Sequence, residues 1–289
     1  MSSPTDALSQ RPKQINYQRI DGLSFIGNYT RELPVNLVRM MENAYDWEHL
    51  PCVHASSFES IECLDEGSWG WRASAVPTNS EGQSQLLELL VDRDKHYWAT
   101  TIVAGPGEGV EIHTQAAALG DNNITIDVRF YSKDEITEDL KPVYLDVLKA
   151  QYGVLYDEDE VLMQGRQAAL DQQLARRGAE APRRTRVGAV AELDTTTVTR
   201  VETSNGSYCL YCSDGKWIAY SAICPHLLGP LDHSAPDNGI VQCPWHGYRF
   251  DIHNGNNLDG KCRGLSTAPV VEIEDSVLYL CHQSEESLA

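Results

Sequence analysis

The sequence predicts an α+β protein of two domains, and three observations carry that prediction. A segment at 176–188, containing Arg176, Arg177, Gly178, Pro182, Arg183, Arg184, Arg186 and Gly188, lacks apolar periodicity and concentrates positive charge, as linkers do. Before it, alternating apolar runs mix with long helical stretches. After it, short strands separated by turn pairs dominate, which is the pattern of a small all-β domain. We place the limits at 1–178 for the first domain, 179–188 for the linker and 189–289 for the second. The 289 residues exceed the ~100–200 of a single domain.

In the first domain a helix is expected from about Val35 to Leu50, bracketed by Pro34 and Pro51. Strands follow over 84–91, 96–104 and 109–117. A further one runs from Asn123 to Tyr131, where Ile124, Ile126, Val128 and Phe130 alternate with polar neighbours. Ser132 and Glu135 form a capping box for a helix beginning near Lys133. That helix continues to about Ala175, with a break expected near Gly153–Tyr156. In the second domain strands are expected at 197–202, 207–211, 216–222, 240–242, 269–273 and 277–281. Asp214-Gly215, Asp237-Asn238-Gly239 and Asn254-Gly255 supply the turns.

Hydrophobic residues make up 42% and charged residues 22%, an ordinary soluble composition. No stretch approaches the ~18 apolar residues of a membrane span, and residues 1–15 hold no apolar signal core, so a cytoplasmic protein is expected. The net charge of −19 repels phosphate backbones and argues against nucleic acid. It suits a docking partner with a basic patch. Eight cysteines in such a chain point to metal ligation or free thiols before disulfides.

Two of those cysteines stand in ligand-like spacing with histidine. Cys224-Pro225-His226 is followed, after 16 residues, by Cys243-Pro244-Trp245-His246. Two thiolates and two imidazoles suit an iron–sulfur cluster, and they also suit tetrahedral zinc. Zinc sites usually pair cysteine with cysteine and histidine with histidine, whereas each half here supplies one of each. The surrounding text, Cys224-Pro-His-Leu-Leu-Gly229-Pro and Cys243-Pro-Trp-His-Gly247-Tyr-Arg-Phe-Asp251, resembles the two boxes of Rieske ferredoxins and Rieske oxygenases over about 190–283. The resemblance implies a [2Fe–2S] cluster with Cys224 and Cys243 on one iron and His226 and His246 on the other. Gly229 and Gly247 would let backbone approach the sulfides. Neither box carries the extra cysteine of the high-potential respiratory type. Cys209 and Cys212 fall on a strand, where positions three apart face opposite ways. They read as buried or half-buried thiols, as do Cys52, Cys63, Cys262 and Cys281.

A second motif lies in the first domain: Glu42-Asn43-Ala-Tyr-Asp46-Trp-Glu-His49-Leu-Pro-Cys-Val-His54. Asp46 and His49 would share a helix face, and Pro51 would end the helix so that His54 rejoins His49. On spacing alone, two histidines at a helix end are more often solvated than metal-bound. The pattern N-x-x-D-x-x-H-x-x-x-x-H, however, resembles the iron motif of Rieske non-haem iron oxygenases, of the aromatic-ring-hydroxylating or O- or N-demethylating type. That resemblance implies a START-like helix-grip catalytic domain with a mononuclear Fe(II) held by His49 and His54. Asp46 would bridge to the cluster, and Asn43 would lie beside the iron. The third ligand would be Asp159, with Asp157 as runner-up, although acidic residues also suit a helix start through its dipole. The order departs from most of that family, because the catalytic domain precedes the Rieske domain.

The expectation is therefore an oxygenase component acting on a small apolar or aromatic substrate, with Trp69, Trp71, Tyr97, Trp98 and Phe130 lining its pocket or simply filling its core. No G-x-G-x-x-G motif is present, so a separate ferredoxin and/or flavin reductase would donate electrons. The resemblance implies a homo-oligomer, a trimer. Two alternatives stand beside it: a Rieske electron-transfer protein fused to a lipid- or small-molecule-binding domain, and a hydrolase or sensor holding zinc.

Overall fold

Ile124, Ile126, Val128 and Phe130 are all fully buried, so the period-2 pattern at 123–131 marks a strand with one face on the core. It is the seventh strand of a sheet that organises the N-terminal half of the computed structural model, which describes Leu8, residues 10–178 and residues 182–282. The chain divides into two units, Met1–Gln164 and Gly165–Ala289.

The first unit is α+β. Its strands are β1 (Ser24–Leu33), β2 (Phe58–Gly67), β3 (Gly70–Pro77), β4 (Gln85–Asp92), β5 (Tyr97–Ala104), β6 (Val110–Gly120) and β7 (Asn123–Ser132). They form one antiparallel sheet in the order β1-β7-β6-β5-β4-β3-β2. Helices α1 (Leu37–Tyr45) and α2 (Leu50–Val53) connect β1 to β2, and the long helix α3 (Lys141–Ala175) follows β7. The sheet grips α3: the rings of Phe130 and Tyr152 lie 5.1 Å apart, and those of Tyr29 and Tyr156 6.5 Å.

Several expectations need correction. Strands β1, β2 and β3 were not anticipated. Helix α3 starts at Lys141 rather than Lys133, because the Ser132 hydroxyl accepts from the Asp134 amide at 3.1 Å and caps only a local turn. It runs unbroken through Gly153–Tyr156, where packing of Tyr152 and Tyr156 on the sheet outweighs the weak helix propensity of glycine. The first helix stops at Tyr45, since Asp46 leaves the helical region at φ −86°, ψ 87°. Asp46 and His49 therefore share no helix. Pro51 does not end that helix but sits in the first turn of α2, where its missing N–H costs no hydrogen bond.

Alternation along β4 and β5 gives the sheet two different faces. Leu87, Leu89, Trp98 and Thr100 line a cavity on the α1 and α3 side. On the other face, the buried Arg72–Glu88 pair at 2.7 Å lies under the N-terminal segment, whose Arg11 also pairs with Glu88 at 2.7 Å.

The second unit is all-β beyond α3. Strands β9 (Thr199–Glu202), β10 (Ser207–Ser213) and β11 (Lys216–Ser221) form one sheet, β12 (Ile240–Gln242) pairs with β13 (Arg249–Asp251), and β8 (Arg184–Ala189) joins β14 (Val270–Glu274) and β15 (Val277–Cys281). Strand β8 lies inside the segment expected to be linker: Arg184 pairs with Cys281, so its basic residues decorate a sheet edge. Leu210, Leu278 and Leu280 are fully buried between the sheets. The Asp214-Gly215 and Asn238-Gly239 turns have φ of 50° and 76°, and of 49° and 78°, the paired positive values of tight hairpin turns. No helix among the described residues is long and apolar enough to cross a membrane.

Candidate functional site

Two side-chain constellations carry chemistry, one in each unit. In the second unit the loops 224–229 and 243–248 are built alike. The Cys224 amide donates to the Gly229 carbonyl at 2.8 Å and the Leu228 amide to the Cys224 carbonyl at 3.1 Å. Correspondingly, the Cys243 amide donates to the Tyr248 carbonyl at 2.8 Å and the Gly247 amide to the Cys243 carbonyl at 2.9 Å. The fourth residue after each cysteine takes a positive φ: 67° at Leu228 and 70° at Gly247. Each loop is thus closed by its own backbone, and each presents its cysteine and histidine side by side.

The two loops face each other. Cys224 and Cys243 are buried thiols, and the His226 and His246 rings meet edge to face at 4.6 Å. Tyr248 stacks on His226 at 4.8 Å. Hydrogen bonding between the two thiols drives Cys224 up and Cys243 down to about 5, so the pair shares one proton and readily offers a thiolate. Gly229 forms a cradle: a Cβ there would stand 2.7 Å from Cys243 Sγ and 3.0 Å from the Trp245 ring. Two sulfurs, two imidazoles and a backbone held close to sulfur fit a Rieske [2Fe–2S] cluster. Cys209 and Cys212 lie on β10, the first buried and the second half-buried. All eight cysteines are free of disulfides.

In the first unit His49 and His54 bracket the single turn of α2, as its N-cap and C-cap residues. That turn brings their rings to 5.1 Å. Asp159 joins them from α3. The His49 Nε2–His54 Nε2, His49 Nε2–Asp159 Oδ1 and His54 Nε2–Asp159 Oδ1 distances are 3.2, 3.4 and 3.0 Å, and all three residues are buried. A point equidistant from the three atoms of this triangle lies about 1.9 Å from each, close to the ~2.0–2.2 Å of metal bonds to histidine and carboxylate.

The remaining imidazole nitrogens face carboxylates. His54 Nδ1 is 2.7 Å from Glu158 Oε2, and His49 Nδ1 is 3.6 Å from Asp46 Oδ2. Glu158 is within hydrogen-bond reach and can hold the proton on His54 Nδ1, aiming the Nε2 lone pair at a metal, whereas Asp46 faces His49 Nδ1 only as a nearby charge. Burial alone would lower the pKa of His49, but Asp159 and then Asp46 outweigh it and push it up to about 10. Burial would raise Asp159, yet His49 and His54 hold it well below the usual carboxylate range. Two imidazoles and one carboxylate suit a facial site for Fe(II) with open positions.

The site forms one wall of a cavity of about 140 Å³. Trp71 and Trp98 line it, with Met40, Leu89, Tyr152 and Tyr156. Asn43 reaches it too, and its Oδ1 is buried with no hydrogen-bond partner among the described residues. The other aromatics lie elsewhere: Phe130 packs on Tyr152, Tyr97 bonds His113 Nδ1 at 2.8 Å, and Trp69 lies under Lys13 and Arg72. Asp157 is directed away, exposed and paired with Arg31 at 2.7 Å. Sequence reasoning missed Glu158. It sits one residue before Asp159 in an acidic run, and only the docking register of α3 decides which acid meets which histidine.

Residues 183–269 match the family model of the Rieske [2Fe-2S] domain, so the C-terminal half carries such a domain and its electron-transfer cluster. The oxygenase component of dicamba O-demethylase from Stenotrophomonas maltophilia is 36% identical over 74 residues, covering 23% of this chain and 22% of that protein. The ferredoxin component of the p-cumate 2,3-dioxygenase system from Pseudomonas putida is 28% identical over 85 residues, covering 29% of this chain and 72% of that protein. The chain thus spans only about a fifth of the length of the first of these relatives. Among solved structures, a START superfamily protein from Mycobacterium smegmatis aligns with 47% of this chain and 97% of its own at 13% identity and a TM-score of 0.40.

Proposed function

Starting from a chain that carries a Rieske [2Fe-2S] domain, we propose that it is the oxygenase component of a Rieske non-haem iron system. Cys224, His226, Cys243 and His246 hold the cluster, and His49, His54 and Asp159 hold a mononuclear Fe(II). The observation that carries this reading is the triangle of His49 Nε2, His54 Nε2 and Asp159 Oδ1, with edges of 3.0–3.4 Å, in the wall of a largely apolar cavity.

When bound, the cluster delivers electrons singly and the iron uses them to activate O₂. Glu158 fixes the ring orientation of His54 through its 2.7 Å contact with Nδ1, and the Asp46 carboxylate lies 3.6 Å from His49 Nδ1. Trp71, Trp98, Leu89 and Met40 exclude water and stack an apolar substrate, while Asn43 offers its unpartnered amide oxygen to a polar group of it. Asp46 and Asp159 are the acidic residues of this lining and no Lys or Arg is among it, so an uncharged substrate suits it better than an anionic one. The product is hydroxylated or oxidatively dealkylated. Electrons come from a separate ferredoxin or flavin reductase.

Iron and acid-labile sulfide analysis of anaerobically purified protein, with electron paramagnetic resonance after reduction, tests the reading. About three irons and two sulfides per chain are expected. His54→Ala should lose one iron and keep both sulfides. Two irons at most, even after incubation with Fe(II), would leave an electron carrier fused to a binding domain. Zinc at the third position would leave the hydrolase or sensor. Asp46→Ala should keep all three irons and stop product formation coupled to cluster oxidation; unchanged turnover would refute its bridging role.

A further inference from the structure

The face of the sheet turned away from the cavity carries a line of groups that the proposed iron site does not use. Tyr97 and Trp98 are neighbours on β5, so their side chains leave opposite faces of the sheet. Trp98 lines the cavity that also holds His49, His54 and Asp159. Tyr97 lies on the other face, is buried, and has its ring 5.3 Å from that of Tyr17 in the N-terminal segment. Tyr17 is 38% exposed. Three oxidisable rings thus run from the cavity wall to solvent.

Both tyrosines face a proton acceptor. The Tyr97 hydroxyl lies 2.8 Å from His113 Nδ1, and His113 Nε2 lies 3.3 Å from Glu111 Oε2. Burial would raise the pKa of Glu111, but His113 and Arg19 outweigh it and hold the carboxyl below its usual range. An ionised carboxylate only accepts, so it draws the proton of a neutral imidazole to Nε2 and leaves the Nδ1 lone pair for Tyr97. Burial pushes the Tyr97 phenol up to about 12, so at neutral pH it keeps its proton until it is oxidised. The Tyr17 hydroxyl donates to Asp92 Oδ2 at 2.6 Å. Lys95 stands 4.2 Å from the Tyr17 ring, where its charge disfavours oxidation, but it also pairs with Asp92 at 2.8 Å, which offsets that charge.

We propose that Trp98, Tyr97 and Tyr17 form an escape path for oxidising equivalents left at the iron site when no substrate fills the cavity. The path rests on the oxygenase reading for its source, a one-electron oxidant formed from Fe(II) and O₂ or peroxide. An electron passes from Trp98 to that oxidant, leaving a tryptophan radical cation. Tyr97 returns an electron to Trp98 and becomes a neutral radical as its phenolic proton moves to His113 Nδ1. Tyr17 then reduces Tyr97, which regains its proton from His113, while the Tyr17 proton moves to Asp92. A thiol or ascorbate in solution gives one electron to the exposed Tyr17, and Asp92 returns the proton. The net transfer is one electron from the external reductant to the oxidant, with every side chain restored.

Ultraviolet laser photoionisation of tryptophan in the full chain, with an electron scavenger and before Fe(II) is added, tests the path apart from the iron. Transient absorption should show tryptophan radical converting to tyrosyl radical in a first-order phase independent of protein concentration. Trp98→Phe and Tyr97→Phe should each remove that phase. Tyr17→Phe should keep it and lengthen the life of the tyrosyl radical, because the hole stops on a buried ring. Circular dichroism and the cluster's visible spectrum check the fold; should Tyr97→Phe misfold, Tyr17→Phe carries the test from an exposed position. In the Fe(II)-loaded chain without substrate, hydrogen peroxide should give a tyrosyl signal by freeze-quench electron paramagnetic resonance. There Tyr97→Phe should move oxidative damage to Trp71 and Trp98, as read by peptide mass spectrometry. Conversion unchanged in folded Tyr97→Phe, as a merely structural Tyr97–His113–Glu111 network would leave it, overturns the proposal. So does a radical lifetime that Tyr17→Phe leaves unaltered, or an iron-loaded chain that gives no tyrosyl signal. The photoionisation phase in a chain that takes up no third iron would support the path and overturn the oxygenase reading instead.

Discussion

The cluster loops and the His49–His54–Asp159 site differ in how much of the chain is needed to build them. Cys224 and Cys243 stand in two short loops, each closed by backbone hydrogen bonds between its own residues. Every group in a loop is within five positions of its cysteine, so a short sequence pattern specifies the whole device. The other site joins a one-turn helix to a side chain more than a hundred positions later on α3. Its geometry depends on how α3 docks on the sheet, and a tertiary shift of about an ångström changes it. Where local backbone does the positioning, the site survives changes elsewhere; where packing does it, the site reports on the fold.

The largest expected effect separates the two. On the proposed ligand set, Cys243→Ser removes a cluster ligand from a loop that nothing outside replaces, so visible absorbance and the reduced paramagnetic signal of the cluster should vanish. The His49–His54–Asp159 site should still take up one Fe(II) per chain. Loss of metal from both sites together would break the comparison and show that they fold as one.

How much of this was legible follows the same division. The cluster residues, both Gly positions and most of the later strands could be read from motif and turn chemistry, because those are local. His49, His54 and Asp159 were named through a family pattern, while the helix geometry invoked for them was wrong. Asp46 caps α1 and His49 starts α2, and a one-turn helix with Pro51 inside it leaves no periodic signal. Strands β2 and β3 escaped because Glu62, Asp65, Arg72 and Ser74 interrupt the apolar alternation, and Arg72 is buried there against Glu88 on β4 and the Arg11 carbonyl. Strand β8 escaped because a basic, half-exposed edge strand resembles a linker.

A smaller effect sharpens the packing side. Glu158→Gln keeps size and hydrogen bonding but removes the charge facing His54 Nδ1, and should weaken Fe(II) binding by about 10–100-fold with the cluster unchanged. Proton linkage gives a second readout. His49 holds its proton up to about pH 10 in the metal-free chain, because Asp159 and Asp46 more than offset the cost of burial. A metal must displace that proton, so apparent affinity should rise about tenfold per pH unit between pH 7 and 9. A flat profile would mean either that His49 is already neutral in the metal-free chain or that the metal does not bind it.

The smallest effect concerns α1, which delivers both Asn43 and Asp46. The Asn36 side chain accepts from the Arg39 amide at 3.0 Å and caps that helix about 13 Å from its far end. Asn36→Ala should cost about 1 kcal/mol and lower the melting temperature of the chain by about 2–4 °C. Fe(II) affinity should nonetheless stay within about twofold, because the last turn of α1 is held at the other end: the buried Trp71 ring donates through Nε1 to the Ala44 carbonyl at 3.0 Å. A cap variant that lost iron in proportion to stability would show instead that the helix transmits strain along its length, and that even this end of the site is set by the fold as a whole.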